Sequence, residues 1–233
     1  MDPEKLEARR AVAVERIKAV AREQLALSGA DALSLREVAR QMGQSSSALY
    51  RYFPTRDELL TALIIDAYDH LGLSVEQAEA EVDREEFARR FLVACRAVRT
   101  WALANPHLYA LLYGSPVPGY QAPERTVGPA TRVSFVLARI ADDAAAAAGS
   151  VGEAPVDKGP FADFLEWEPL AAVMPHVPRE GMVRAILAWS NLFGYLTFEL
   201  FGHFVRSVAD LDATFEWMVA DSVRTLGLLR PED

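Results

Sequence analysis

Residues Ser34–Leu60 read SLREVARQMGQSSSALYRYFPTRDELL and carry the most specific pattern in the chain. Ser34 and Glu37 form an S-x-x-E capping box, in which the serine side chain accepts a backbone N–H and the glutamate bonds back to the cap. Apolar residues then recur at helical spacing. Gly43 is suited to the left-handed position that ends a helix. This part of the segment therefore predicts one short helix.

A second short helix is predicted after the turn. Ser45 is a plausible N-cap, and Leu49 and Phe53 lie four residues apart, so both face inward. Thr55 and Glu58 form a second capping box that starts another helix after Pro54. The outward-facing residues can all donate hydrogen bonds, and none is acidic: Ser46, Ser47, Tyr50 and Arg51. This arrangement predicts a helix-turn-helix over about residues 34–53.

The segment resembles the DNA-binding domain of the tetracycline-repressor (TetR) family of bacterial transcription regulators. The resemblance covers residues 11–71 and rests on Gly29, Ser34, Val38-Ala39, Gly43, Ser45, Leu49-Tyr50, Phe53, Arg56 and Glu58-Leu59. The chain departs from the family at Ser46-Ser47, where Lys-Gly is frequent, and at Tyr52 and Arg56, where His and Lys are frequent. Because serines are weak base readers, the operator sequence cannot be read from them.

The residues of this segment suggest specific contacts with DNA. Ser34 and Arg56 lie at helix N-termini, where backbone N–H groups also face outward, and are expected to hold phosphates, as are Arg36 and Tyr52. Base edges or phosphates are expected to meet the recognition helix at Ser45, Ser46, Ser47, Tyr50 and Arg51. Packing between helices remains an alternative for Tyr50 and Tyr52.

The charge distribution favours DNA contact at one end of the chain. The net charge is −9, but residues 1–60 carry ten Lys/Arg against nine Asp/Glu, and the remainder carries 14 against 24. A local patch matters more for phosphate binding than the total charge does. The acidic remainder is therefore expected to point away from DNA.

Several other classes of protein find little support. The chain has no apolar run of about 18 residues that marks a membrane span, and its start is too charged for a secretory signal. A single cysteine, Cys95, cannot form an internal disulfide, so a cytoplasmic protein is expected. Neither catalytic motifs nor metal-ligand spacings occur. We therefore expect no enzyme activity, no cofactor and no metal. The Asp142-Asp143 pair is expected to be a solvated face.

The last two predicted helices indicate a homodimer. Residues 179–206 form a helix that is apolar on nearly every face, and residues 211–228 form an amphipathic helix capped by Asp210. A helix that is apolar all round must be covered on all sides. Two such helices from each of two subunits make a four-helix interface, and the resemblance implies the same arrangement.

The aromatic residues of the C-terminal region suggest a pocket for a small-molecule effector. The loop 114–123 is a candidate cover for it. The alternative for each ring is an ordinary core position. The candidate pocket residues are Trp101, His107, Tyr109, Tyr113, Trp189, Asn191 and Phe193.

These observations predict an all-α chain in two domains. Residues 11–71 form a three-helix DNA-binding domain, and residues 72–230 form a helical effector-binding and dimerisation domain. The expected function is that of a dimeric regulator, which binds a palindromic operator and is released from it by a small hydrophobic effector. That it acts as a repressor is implied by the resemblance alone. An all-α small-molecule carrier or enzyme that retains a helix-turn-helix is the alternative. A nonspecific nucleoid-type DNA binder is disfavoured by the near-neutral N-terminal charge.

Overall fold

The structure, a computed structural model, describes residues 3–149 and 166–229, and these residues form helices and no strands. A short 3₁₀ turn, Glu124–Thr126, precedes the seventh helix. The helices are α1 Pro3–Ser28, α2 Leu35–Gln41, α3 Ser46–Leu49, α4 Arg56–Ala80, α5 Phe87–Ala104, α6 Pro106–Tyr113, α7 Val127–Ala147, α8 Trp167–Val173, α9 Arg179–Leu200 and α10 Leu211–Thr225. The all-α prediction is confirmed.

The chain divides into two compact units. The first contains Met1–His70 together with Asn105–Ala130, and the second contains Leu71–Ala104 and Thr131–Asp233. The sequence predicted that all residues after 71 belong to the second domain, whereas the structure groups residues 105–130 with the first unit. Packing explains the grouping, because Val117 and Tyr120 lie against the first unit's buried core. Tyr120 also bonds through its hydroxyl to Thr61 Oγ1 at 2.9 Å.

The core of the first unit joins α1, α2, α3 and α4. Ile17, Leu25, Val38, Leu49 and Leu60 are all buried in it. Leu49 and Phe53 are core residues, as their four-residue spacing predicts. Burial of these side chains provides the main favourable contribution to the unit's stability, at roughly 1.5–3 kcal/mol for each large aliphatic side chain.

The second unit has its own buried face on each long helix. Phe91 and Val98 of α5, Leu196 of α9 and Phe215 of α10 are buried. Cys95 is buried beside them, and burial raises the pKa of its thiol far above the ordinary value. An inert structural thiol is therefore the interpretation that the structure supports.

The end of α9 differs from the sequence prediction. The helix was expected to continue to residue 206, but it ends at Leu200. Gly202 and Arg206 have positive φ angles of 76° and 67°, and left-handed residues interrupt a right-handed helix. The turn leads into α10, where the Asp210 side chain accepts the Ala213 N–H at 2.9 Å and confirms the predicted cap.

The interpretation of Asp142 and Asp143 as a solvated face holds only in part, because Asp143 is 40% exposed and Asp142 only 14%, and both carboxylates have partners. Asp143 Oδ2 lies 2.8 Å from Nη2 of the fully buried Arg90, whose Nε donates to Glu79 Oε1 at 2.6 Å. Asp142 accepts the backbone N–H of His176 at 2.7 Å. These partners are distant in sequence, so local patterns do not indicate them.

Candidate nucleic-acid interface

The N-terminus of α2 is capped differently from the predicted capping box. Ser34 Oγ accepts the Glu37 N–H at a long 3.5 Å. The Ser34 N–H donates to Gln24 Oε1 at 3.1 Å, in place of the expected Glu37 side chain. Glu37 instead accepts hydrogen bonds from Arg40 Nε at 2.8 Å and from Gln41 at 3.1 Å. Only half of the capping box is therefore formed, and a buried polar residue of α1 completes the cap.

The turn after α2 requires a glycine. Gly43 has a φ of 65°, which is the left-handed region that disfavours a Cβ. Its N–H donates to Arg40 O at 3.1 Å, and the following Gln44 N–H donates to Ala39 O at 2.9 Å. This pair of bonds closes α2 and turns the chain into the next helix.

The recognition helix, α3, presents hydroxyl groups and a cation to solvent. Ser45, Ser47, Tyr50 and Arg51 are exposed, with Tyr50 at 43%. Ser45 occupies the N-cap position, but its side chain makes no cap bond and lies 3.0 Å from the Ser47 hydroxyl. Ser46, which was also expected to face outward, is half-buried, and Leu49 is fully buried. The outer face therefore offers hydrogen-bond donors to a ligand, as the contact prediction requires.

Tyr52 is placed for packing. It is half-buried against the first unit's core. The guanidinium carbon of Arg10, on α1, lies 5.7 Å from the centre of its ring, within the range of a cation–π contact. No sequence pattern indicates Arg10 as a neighbour, because the two residues are brought together only by folding. A phosphate contact from Tyr52 stays a prediction.

Arg56 is engaged within the protein. Its Nε donates to Leu33 O at 3.1 Å, and Nη2 donates to Ala30 O at 2.9 Å. These carbonyls belong to the loop between α1 and α2, so Arg56 ties the start of α4 to the start of α2. The Thr55 hydroxyl accepts the Glu58 N–H at 3.1 Å and caps α4 as predicted. The phosphate contact of Arg56 stays a prediction, with this structural role beside it.

Two arginines near α3 have exposed charges. Within residues 3–149 and 166–229, Arg36 and Arg51 make no ion pair, whereas Arg40 pairs with Glu37. Hydrogen bonding from Arg40 lowers the pKa of Glu37, so this carboxylate stays ionised and offsets the charge of Arg40. Arg36 and Arg51 are therefore the better supported phosphate contacts of the predicted set.

The structure divides the predicted pocket residues between the two units. His107, Tyr109 and Tyr113 belong to the first unit, and the others belong to the second: Trp101, Trp189, Asn191 and Phe193. Tyr109 and Tyr113 have ring centres 5.1 Å apart, and those of Trp189 and Phe193 are 5.9 Å apart.

Within the second unit, Trp101 and Phe193 are buried, whereas Asn191 is exposed. The loop 114–123, which was expected to cover the pocket, packs in the first unit through Val117 and Tyr120. The pocket as a single site stays a prediction.

Metal-binding groups and membrane-spanning helices do not occur in the described part of the chain. No group of three or more His, Cys, Asp or Glu side chains in residues 3–149 and 166–229 is arranged to hold a metal ion. Over the same ranges, no helix is both long and apolar enough to cross a membrane.

Comparison with known proteins extends the similarity beyond the helix-turn-helix. The family described as "Bacterial regulatory proteins, tetR family" matches residues 17–63, and the "Tetracyclin repressor-like, C-terminal domain" matches residues 91–222. The HTH-type transcriptional regulator Rv1816 of Mycobacterium tuberculosis is 37% identical over 198 residues, which cover 81% of both chains.

Solved structures share the fold along nearly the whole chain. The crystal structure of the regulatory protein SCO4313 has a TM-score of 0.75 and 34% identity, covering 94% of this chain and 98% of that one. The structure of RolR has a TM-score of 0.50 and 15% identity, covering 95% of each chain, and shows similarity of fold alone. The two family matches and the relative with 37% identity show that this chain belongs to the TetR family and is a DNA-binding transcriptional regulator.

Proposed function

We propose that the chain acts in the cytoplasm as a homodimeric repressor, which binds a palindromic operator and is released from it by a small hydrophobic effector. Two copies of α3 enter successive major grooves about 34–36 Å apart. The exposed groups on and around α3, namely Ser45, Ser47, Tyr50, Arg51 and Arg36, contact base edges and phosphates.

The observation that supports the dimer best is an apolar stripe of exposed side chains on α9, together with an exposed tryptophan on α10. Leu187 is 55% exposed, Phe198 is 49% exposed and Trp217 is 66% exposed. Gly194 lies between the first two, and a Cβ added to it meets no atom within 4 Å. Large exposed apolar side chains grouped on one face mark an interaction surface. A glycine at its centre permits two helices to approach closely.

The two helices that carry this stripe are fixed to the rest of the second unit. Arg99 of α5 donates to Glu199 of α9 at 2.9 and 2.6 Å and to Asp212 of α10 at 2.6 Å. The Tyr195 hydroxyl donates to Leu211 O at 2.6 Å. A stripe that is held rigid loses little entropy on association, which favours a second copy as its partner.

Sedimentation measurements on stripe variants test the dimer. We expect Trp217→Glu and Phe198→Glu to convert the protein to monomers, because each buries a carboxylate in an apolar interface. Val12→Glu changes an apolar residue on α1 that is at least as exposed and serves as the matched control. Dimers that persist in both stripe variants contradict the proposed interface.

Gly194→Ala provides a subtler test. In an isolated helix this change stabilises by about 0.5–1 kcal/mol, because alanine has the better helix propensity. At a close helix contact it weakens association. A dimer dissociation constant that is unchanged or lower in Gly194→Ala contradicts a close contact at Gly194.

The effector proposal rests on the aromatic residues of the second unit. Trp101 and Phe193 are buried there, and Trp189 lies beside Phe193. RolR, which shares the fold, has been solved in complex with resorcinol. We take a small hydrophobic or aromatic molecule as the ligand class for this chain. A coupling of about 1–3 kcal/mol between effector and operator makes a useful switch.

Selection from random duplex DNA tests the function itself. The purified protein is expected to enrich an inverted repeat, and Arg51→Ala is expected to weaken its binding. The protein is then titrated with resorcinol and similar small aromatic molecules, and tryptophan fluorescence and release from the operator are measured together. Absence of any enriched sequence at low salt contradicts operator binding, and release without a fluorescence change contradicts an effector site near the tryptophans.

A further inference from the structure

A small cleft lies within the first unit, where the end of α1 and the following loop meet α6 and the segment after it. Its volume is about 200 Å³. Leu25 and Leu111 provide apolar walls, and Ser28, Asp31, His107 and Ser115 provide polar ones. Pockets for drug-sized ligands measure about 300–1,000 Å³, so this cleft suits a smaller molecule.

The lining favours a positively charged ligand. Asp31 is the one lining residue with a formal charge near neutral pH, and neither Lys nor Arg is among the residues that line the cleft, all of which the structure describes. Burial lowers the pKa of His107, so its imidazole is neutral and does not repel a cation. The serine hydroxyls can accept hydrogen bonds from an ammonium group.

We propose that this cleft binds a small organic cation, a primary amine with a compact apolar body, and that its occupation alters operator binding. The effect on operator binding rests on the proposed function, whereas the binding of the cation does not. The site is separate from the aromatic residues of the second unit that are proposed to receive the hydrophobic effector.

A chain of contacts leads from the cleft to the DNA-reading helices. Ala30 and Asp31 line the cleft, and the Ala30 carbonyl accepts the bond from Arg56 at 2.9 Å. Arg56 also holds the carbonyl of Leu33 at 3.1 Å, one residue before the cap of α2. A ligand that joins this loop to α6 therefore acts on the starts of α2 and α4. It shifts operator affinity to the extent that it binds the free and DNA-bound conformations unequally.

Calorimetry with benzylamine on the full chain tests the site without DNA. Asp31→Asn removes the charge and keeps the shape, and we expect it to weaken binding about tenfold or more, since a hydrogen bond to a charged group is lost. Ala110→Leu places a larger side chain in the cleft wall and is expected to abolish binding. Benzyl alcohol, the neutral analogue, is expected to bind about tenfold more weakly than benzylamine.

Matched controls lie on the exposed face of α1. Glu23→Gln removes a carboxylate and Ala26→Leu adds the same bulk, both away from the cleft, and both are expected to leave binding unchanged. Equal affinity in Asp31→Asn and wild type, or no heat at millimolar benzylamine, overturns the site. Far-UV circular dichroism checks that the Ala110→Leu variant is folded. If it is not, the isosteric Asp31→Asn variant alone tests the site.

Operator binding in the presence of saturating benzylamine tests the regulation. We expect a change of about fivefold or more in wild type and none in Asp31→Asn. If benzylamine binds and the operator affinity does not change, the proposed effect on operator binding is refuted, and the proposed binding site stands. If the protein binds benzylamine but no operator, the proposed function is refuted, and the proposed binding site stands.

Discussion

Replacement of Arg56 separates a structural role from a role in phosphate binding. Its guanidinium bonds the carbonyls of Ala30 and Leu33 at 2.9 and 3.1 Å, and its side chain is 29% exposed. Hydrogen bonds from a charged donor contribute roughly 1.5–3 kcal/mol each when well shielded, and partial exposure reduces this. Arg56→Ala is therefore expected to lower the free energy of unfolding by about 2–3 kcal/mol, since two carbonyls lose their partner.

The assay combines urea unfolding with operator titrations at several salt concentrations. A phosphate contact predicts that Arg56→Ala reduces the slope of log K against log salt by about one unit. A purely structural role predicts weaker operator binding at an unchanged slope. Arg56→Lys keeps the charge but cannot span both carbonyls, so it is expected to restore the slope and not the stability.

Arg51→Ala is the control, because Arg51 is exposed and makes no ion pair in the described part of the chain. It is expected to reduce the salt slope with little change in stability. If Arg56→Ala unfolds at the same urea concentration as wild type, the reasoning from these two bonds is refuted. If Arg56→Lys is as stable as wild type, the requirement for the forked guanidinium is refuted.

Three further substitutions have expected outcomes that unfolding measurements can check. Gly43→Ala is expected to cost about 1–2 kcal/mol, because the φ of 65° is strained for a residue with a Cβ. Gly72→Ala places a Cβ 2.8 Å from Arg132 Cβ and is expected to cost about 1–3 kcal/mol, much of which Arg132→Gly should relieve because glycine has no Cβ. Glu79→Gln is expected to cost roughly 1.5–3 kcal/mol near neutral pH, because the buried Arg90 loses one of its two carboxylate partners and keeps Asp143.

The pH dependence of the Glu79 variant has a definite sign. Burial alone raises the pKa of Glu79, but hydrogen bonds from Arg84 and Arg90 outweigh it and lower the pKa below its ordinary value. The stabilisation is therefore present above about pH 4.3, the pKa of an unfolded glutamate, and is lost as the pH falls through the folded-state pKa. A difference from wild type that stays constant down to about pH 2 contradicts this assignment.

Each glycine prediction has its own check. Gly128→Ala lies in α7, where an added Cβ meets no atom within 4 Å and φ is not positive, and it is expected to be neutral or slightly stabilising. A comparable loss in Gly128→Ala and Gly43→Ala argues against strain at Gly43. Additive losses in the Gly72→Ala, Arg132→Gly double variant argue against the proposed clash.

The local pattern of Ser34–Leu60 determined the helix-turn-helix and its outward face. The Thr55 cap of α4, the positive φ at Gly43 and the spacing of Leu49 and Phe53 are short-range properties, so the sequence alone predicts them. The side chains predicted to face DNA follow from the same periodicity, although the structure leaves Ser46 half-buried. The apolar character of α9 is likewise a property of the sequence alone, and it predicts a shared face.

Tertiary structure decided which distant residues meet. The buried Gln24 of α1 accepts the Ser34 N–H at 3.1 Å, where the sequence predicted the Glu37 side chain. Arg56 holds a loop more than 20 residues before it in the chain. Asp143 approaches Arg90 from another helix. Such pairings depend on how helices pack, and periodicity within one helix carries no information about its neighbours.

Tertiary structure also decided where a segment belongs. The sequence assigned the aromatic residues on either side of Asn105 to one pocket, because the loop 114–123 offered a common cover for them. The structure places Trp101 in the second unit and Tyr109 in the first, where the following loop packs through Val117 and Tyr120. The sequence thus determined the DNA-reading motif, which is built from local geometry. Only the packing of the helices decided the membership of each unit, because buried apolar contacts form between residues far apart in sequence.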